Sequence, residues 1–130
     1  MATKILTIDD SLTVRLVLAK AFQSYDCELI EASNGEEGLA AAQREKPDLI
    51  LLDLCMPVMD GIATLTALRA DPNLKSVPVI MLTAESDREN VFRVTKLGVS
   101  DYILKPFSED LLLQRVARIV ELQKRERIAH

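Results

Sequence analysis

At 130 residues the chain has the size of one ordinary domain, long enough to bury a core without disulfide or metal staples. Its 48% hydrophobic and 28% charged residues are those of a soluble globular protein, and a net charge of −4 creates no strong field toward nucleic acid or an anionic membrane. Cys27 and Cys55 lack the paired spacing of a zinc or redox site and read as reduced thiols of a cytoplasmic protein; no apolar run approaches a membrane span, and the start MATKILTIDD is no signal peptide.

Strand and helix patterns alternate along the whole chain. Lys4–Ile8 is short, apolar and β-branched, which predicts a buried strand. Val14, Val17, Leu18, Ala21 and Phe22 then recur on one face of a helix. Cys27–Ala32 reads as a second strand. Asn34-Gly35 marks a turn, helix formers run from Glu36 to Glu45, and Pro47 stops them. Asp48–Leu52 is the most apolar run and reads as the central strand. A helix over Gly61–Ala70 ends at Asp71-Pro72-Asn73, and Val77–Leu82 is a fourth strand. Asp87–Leu97 reads as a helix closed by Gly98, and Asp101–Leu104 as a fifth, short strand. Ser108 caps a long final helix, with Glu109 and Asp110 in its first turn and a stripe of Leu112, Val116, Ile119 and Val120. The charged end from Glu121 to Arg127 is able to extend that helix.

Five such βα units without linker or repeat predict an α/β fold, a doubly wound five-stranded parallel sheet with helices on both faces. At this size the flavodoxin-like order 2-1-3-4-5 is expected, with any ligand at the carboxyl ends of the strands where the order reverses. The residues ending the strands are Asp9-Asp10, Asp53, Thr83-Ala84 and Lys105-Pro106. Singly they are ordinary: an Asp pair before a helix is commonly a cap, and a terminal Lys a solvated charge. Together they gather three carboxylates, a hydroxyl and one ammonium on one edge. Three carboxylates demand more positive charge than Lys105 brings, and few, hard oxygen ligands suit Mg²⁺. The turn Asp9-Asp10-Ser11 lacks the glycines of a dinucleotide site, and its charge repels pyrophosphate. A carboxylate beside Mg²⁺ can instead attack phosphorus and become an aspartyl phosphate.

The set Asp9-Asp10, DLCMPVMDG (Asp53 to Gly61), MLTA (Met81 to Ala84) and YILKPF (Tyr102 to Phe107) resembles the receiver domain of two-component response regulators. The resemblance spans the chain, so 1–130 is expected to form one receiver without an output domain, either a stand-alone messenger of the chemotaxis or phosphorelay kind or a receiver cut from a larger regulator. It implies Asp53 as phosphoacceptor, with Thr83 and Lys105 gripping the phosphoryl group. It implies Mg²⁺ bound by Asp10, Asp53 and the backbone carbonyl of Cys55, with Asp9 orienting a bound water. Tyr102 becomes the switch aromatic, and Lys105-Pro106 is expected to be cis. Gly61 is expected to permit the backbone turn into its helix. Cys55 and Glu85 would border the path of the hydrolytic water, and Leu12 and Arg15 the phosphodonor. The implied donor is a sensor histidine kinase or histidine phosphotransfer protein, and the output a protein target reading a changed surface of the fourth helix, fifth strand and fifth helix. No nucleic acid or membrane partner is expected, nor enzymatic activity beyond self-catalysed acceptance and loss of phosphate. Two other readings stand beside it. One is a Mg²⁺-dependent phosphohydrolase with an aspartyl intermediate, disfavoured by Cys55 where many such enzymes place a second acid. The other is an adaptor independent of phosphorylation, disfavoured by the complete acceptor set.

Overall fold

The computed structural model describes residues 3–54, 56, 59–84 and 88–125, and within 88–91 the backbone alone. Five strands and five helices alternate: β1 (Thr3–Ile8), α1 (Leu12–Phe22), β2 (Cys27–Ala32), α2 (Gly35–Glu45), β3 (Leu49–Asp53), α3 (Gly61–Ala70), β4 (Val79–Ala84), α4 (Arg88–Leu97), β5 (Asp101–Lys105) and α5 (Glu109–Ala117). The strands form one parallel sheet in the order β2-β1-β3-β4-β5, as expected.

The two-residue strand period splits the core into two layers. Leu6, Ile8, Ile50, Leu52, Val79 and Met81 face α2, α3 and α4, meeting Ala41, Ala42, Leu65, Leu68 and Val94. Ile5, Leu49, Leu51, Ile80, Leu82 and Ile103 face α1 and α5, meeting Leu18, Phe22, Leu112 and Val116. β3 is buried at all five positions, so it is the central strand that its apolar run indicated.

Two strands start later than their sequences suggest, and each shift has a local cause. Asp48 is spent on the link to β1: its backbone N–H donates to Lys4 O, and its carboxylate accepts from Lys4 N. β3 therefore runs Leu49–Asp53. Pro78 has no N–H to give to a ladder, so β4 begins at Val79 and continues through Thr83 and Ala84. β5 likewise extends to Lys105. The effect is that Asp53, Thr83 and Lys105 are the closing residues of regular, paired strands rather than loop residues.

The last helix is shorter than expected. α5 stops at Ala117, and Ile119 and Val120 follow in a turn bonded to Val116 O, still packed on the same layer. Residues 121–125 do not extend the helix. They return along the α1–β2 connection, where Asp26 N donates to Gln123 O, Arg125 N donates to Ser24 O and Lys124 bridges Tyr25. Backbone groups of that connection gain partners from the returning chain, which a continuing helix would not supply.

Gly98 closes α4 at φ +96°, the left-handed conformation expected of a helix-terminating glycine. Gly61 serves a different purpose from the one expected. Its φ is not positive; instead a Cβ there would lie 2.5 Å from Asp53 O and 2.6 Å from Leu54 Cα. The start of α3 thus rests directly on the backbone behind Asp53. Backbone atoms of a central strand yield little, so Gly61→Ala is expected to lower stability by about 1–3 kcal/mol, the usual cost of overpacking. Urea unfolding measures this, and an unchanged midpoint would show that α3 shifts freely without disturbing β3.

Candidate functional site

The residues at the carboxyl edge of the sheet meet as the strand order requires. Asp9 follows β1 and is fully buried. It does not cap α1: that role belongs to Ser11, whose hydroxyl accepts from Val14 N. Asp9 Oδ1 instead accepts the Ser11 N–H at 2.8 Å, which fixes the carboxylate and turns its other oxygen toward β5. There Lys105 Nζ donates to Asp9 Oδ2 at 3.1 Å and lies 3.2 Å from Asp53 Oδ1. Asp53, 4% exposed, closes β3 beside Leu82 of β4. Asp10 is exposed at the mouth. One carboxylate oxygen from each of Asp9, Asp10 and Asp53 lies within 4.8 Å of the other two.

Lys105 brings one positive charge to three negative ones, two of them buried. Buried carboxylates are costly unless compensated, so the pocket favours a further cation. The donors are hard oxygens at a spacing that one small ion can bridge, and they suit Mg²⁺ chemically.

Thr83 is buried at the end of β4, paired in register with Leu104, and its hydroxyl donates to Ala84 O at 3.1 Å. Tyr102 lies on β5 and is 45% exposed, its ring outside the core. The Lys105-Pro106 bond is cis, as anticipated. Cys55, the expected carbonyl ligand, and Glu85 lie outside the described residues, as does Pro57. Nothing in the sequence hinted at the Thr83–Ala84 hydrogen bond, because rotamers depend on neighbours. Nor did anything in it point to Arg69, whose guanidinium joins three segments.

Comparison with known proteins matches residues 5–117 to the response regulator receiver domain. The chain belongs to this family. The response regulator PleD of Caulobacter vibrioides is 37% identical over 134 residues, covering 97% of this chain and 29% of PleD. The transcriptional regulatory protein ResD of Bacillus subtilis is 38% identical over 118 residues, covering 91% of this chain and 48% of ResD. The chain spans about half the length of such curated relatives, or less. Among solved structures, the chemotaxis protein CheY4 of Vibrio cholerae superposes with a TM-score of 0.85 at 32% identity, over 92% of this chain and 100% of CheY4. Membership implies a phosphoacceptor role in two-component signalling, and the acidic triad is consistent with the metal site typical of receivers. No helix among the described residues is long and apolar enough to cross a membrane.

The Lys105 ammonium has opposing influences. Burial favours loss of its proton, but Asp9 and then Asp53 outweigh burial, and its pKa is raised. A raised folded-state pKa contributes stability that is fully present below the unfolded value of about 10.4 and is lost as pH rises through the folded one. The stability difference between wild type and Lys105→Met is therefore expected to hold steady from about pH 7 to about pH 10 and to change against wild type above it. Urea unfolding across that range checks this; a difference unaltered up to about pH 12 would mean that the ion pairs contribute nothing to folding.

Proposed function

We propose that Asp53 accepts a phosphoryl group from a phosphohistidine on a sensor histidine kinase or histidine phosphotransfer protein, and that the phosphorylated receiver acts on a downstream protein target. The observation that supports this most is the placement of Asp53 at the end of the central strand, its Oδ1 3.2 Å from Lys105 Nζ and its carboxylate grouped with Asp9 and Asp10.

In the reaction an Asp53 carboxylate oxygen attacks phosphorus. The P–O bond forms as the P–N bond to the donor breaks; the donor ring, protonated on its other nitrogen, takes the P–N electron pair and leaves as neutral imidazole. Phosphoryl transfer asks the protein mainly for alignment and for charge opposite the equatorial oxygens. Lys105, already against Asp53, supplies one such charge. The Thr83 hydroxyl gives up Ala84 O and donates to a second oxygen. Asp10, Asp53 and the Cys55 carbonyl would hold Mg²⁺, with Asp9 orienting one of its waters; bound there, the ion neutralises charge on the transferring group.

The donor's approach has support in α1. Leu12 and Leu16 are 64% and 62% exposed on that helix. Beside it a cavity of about 280 Å³ is lined by Thr13, Val14, Val17, Lys105, Pro106 and Phe107, an apolar seat reaching to the Lys105 side chain. The output is assigned to α4, β5 and α5, where Phe92, Tyr102 and Leu104 are exposed. Movement of Thr83 toward the phosphoryl group frees space beside β5 for Tyr102 to turn inward. Two packings that differ by a few kcal/mol suffice for such a population shift.

Asp53→Asn keeps the shape of the side chain but removes the nucleophile. It is expected to take up no base-labile label from a phosphodonor in Mg²⁺, and labelling at the wild-type level would place the acceptor elsewhere. Asp10→Ala removes a direct ligand, so Mg²⁺ affinity should fall by at least about tenfold, the loss seen even for outer-shell partners. A Mg²⁺ titration reads this directly, and an unchanged affinity would take the ion away from Asp10.

A further inference from the structure

We propose that Arg69 is a positioning residue that pins the C-terminal end of α4, so that a change at the phosphoryl pocket reaches the output face as a swing of α4 about that end. The inference rests on the reading of Asp53 as phosphoacceptor for its second half; the pinning itself does not.

Arg69 lies in the last turn of α3. Its Nε and Nη2 both donate to Gly98 O, at 3.0 and 2.7 Å, while Nη1 donates to Val77 O at 3.0 Å and Lys75 O at 3.1 Å. One planar group therefore ties the residue that closes α4 to α3 and to the chain entering β4. The guanidinium also faces the negative end of the α4 dipole. No carboxylate pairs with it among the described residues. Burial lowers its pKa, so the carbonyls are what hold its charge in place. A lysine would not reproduce this, because a single ammonium cannot span three separate carbonyls with the same fork.

Of the described side chains of α4, Val94 is fully buried and Leu97 half-buried, while Phe92, Arg93, Thr95 and Lys96 are exposed. Lys96 Nζ lies 4.8 Å from the centre of the Phe92 ring, so these two residues engage each other on the outer face. Over the described side chains, 92–97, the helix thus has a narrow line of core contact. At its far end, only three residues separate Arg88 from Ala84, the residue after Thr83 on the pocket edge. One end is fastened through Gly98 O by two charge-assisted hydrogen bonds from Arg69, and the other is separated from Ala84 by three residues. A helix held in this way turns about its fastened end, which carries Phe92 through a larger arc than Leu97.

Amide hydrogen exchange tests both halves. In the unphosphorylated chain, Arg69→Met and the milder Arg69→Lys should each speed exchange of the Gly98 amide by roughly tenfold or more, as expected when charged hydrogen bonds are lost. Exchange of Ile50 and Leu52 in β3 should change far less. In wild type labelled with acetyl phosphate, exchange should alter over the first half of α4 and stay constant from Val94 to Gly98; in Arg69→Met the alteration should spread to both ends. Unchanged Gly98 exchange in both variants would overturn the clamp. Equal alteration at both ends of wild-type α4 would overturn the swing. Failure of wild type to take label at all would instead count against Asp53 as acceptor and remove the swing with it, while the unphosphorylated comparison still decides the clamp.

Discussion

The structure depends on an imbalance of charge at one edge of its sheet. Asp9, Asp10 and Asp53 converge there, two of them buried, and one ammonium from Lys105 is set between Asp9 and Asp53. A buried carboxylate is tolerated only where donors or cations compensate it. The backbone N–H of Ser11 and the Lys105 ammonium do part of this. The remaining negative charge makes the pocket receptive to a divalent cation. With that cation, the same charges fit the needs of a phosphoryl group carried in from outside.

The sheet keeps the imbalance in place. Each of β3, β4 and β5 ends on the residue that the pocket uses or on its neighbour, and each of those residues is still within the paired ladder. A carboxylate on a fully buried central strand cannot retreat from its neighbours as one on a loop would. Gly61 adds to this rigidity by allowing α3 to begin against the backbone of Asp53 and Leu54. The pocket is thus held open to chemistry by hydrophobic layers on both sides of the sheet.

The helices are held unequally, and the inequality matches a signalling role. α1 and α5 share an apolar layer with the sheet, and Arg115 fastens α5 to Asp101 at the start of β5 with contacts of 2.8 and 2.9 Å. Among its described side chains α4 has a thin apolar contact, and its end is attached through the Arg69 guanidinium. A protein that must move one surface without unfolding benefits from confining weak packing to that surface. On the proposed function, the sheet would serve as the frame and α4 as the element that responds.

The sequence by itself determined the order of the elements, the two-layered core and which residues close the strands at one edge of the sheet. The reason is that strand and helix periods are local properties, and a parallel sheet brings strand ends to one edge whatever its details. Asp9, Asp10, Asp53, Thr83 and Lys105 were therefore legible before any contact was known. Other features arose only in three dimensions. The late start of β4 needed Pro78 to face a neighbouring ladder, and the role of Gly61 needed α3 to lie against β3. The end of α5 at Ala117 depended on partners for 121–125 that lie about a hundred residues earlier, at Ser24 and Asp26. Arg69 was indistinguishable in sequence from a solvated basic residue at a helix end. Only folding set Lys75, Val77 and Gly98 around its guanidinium, because hydrogen bonds between distant segments are fixed by packing and leave no periodic trace along the chain.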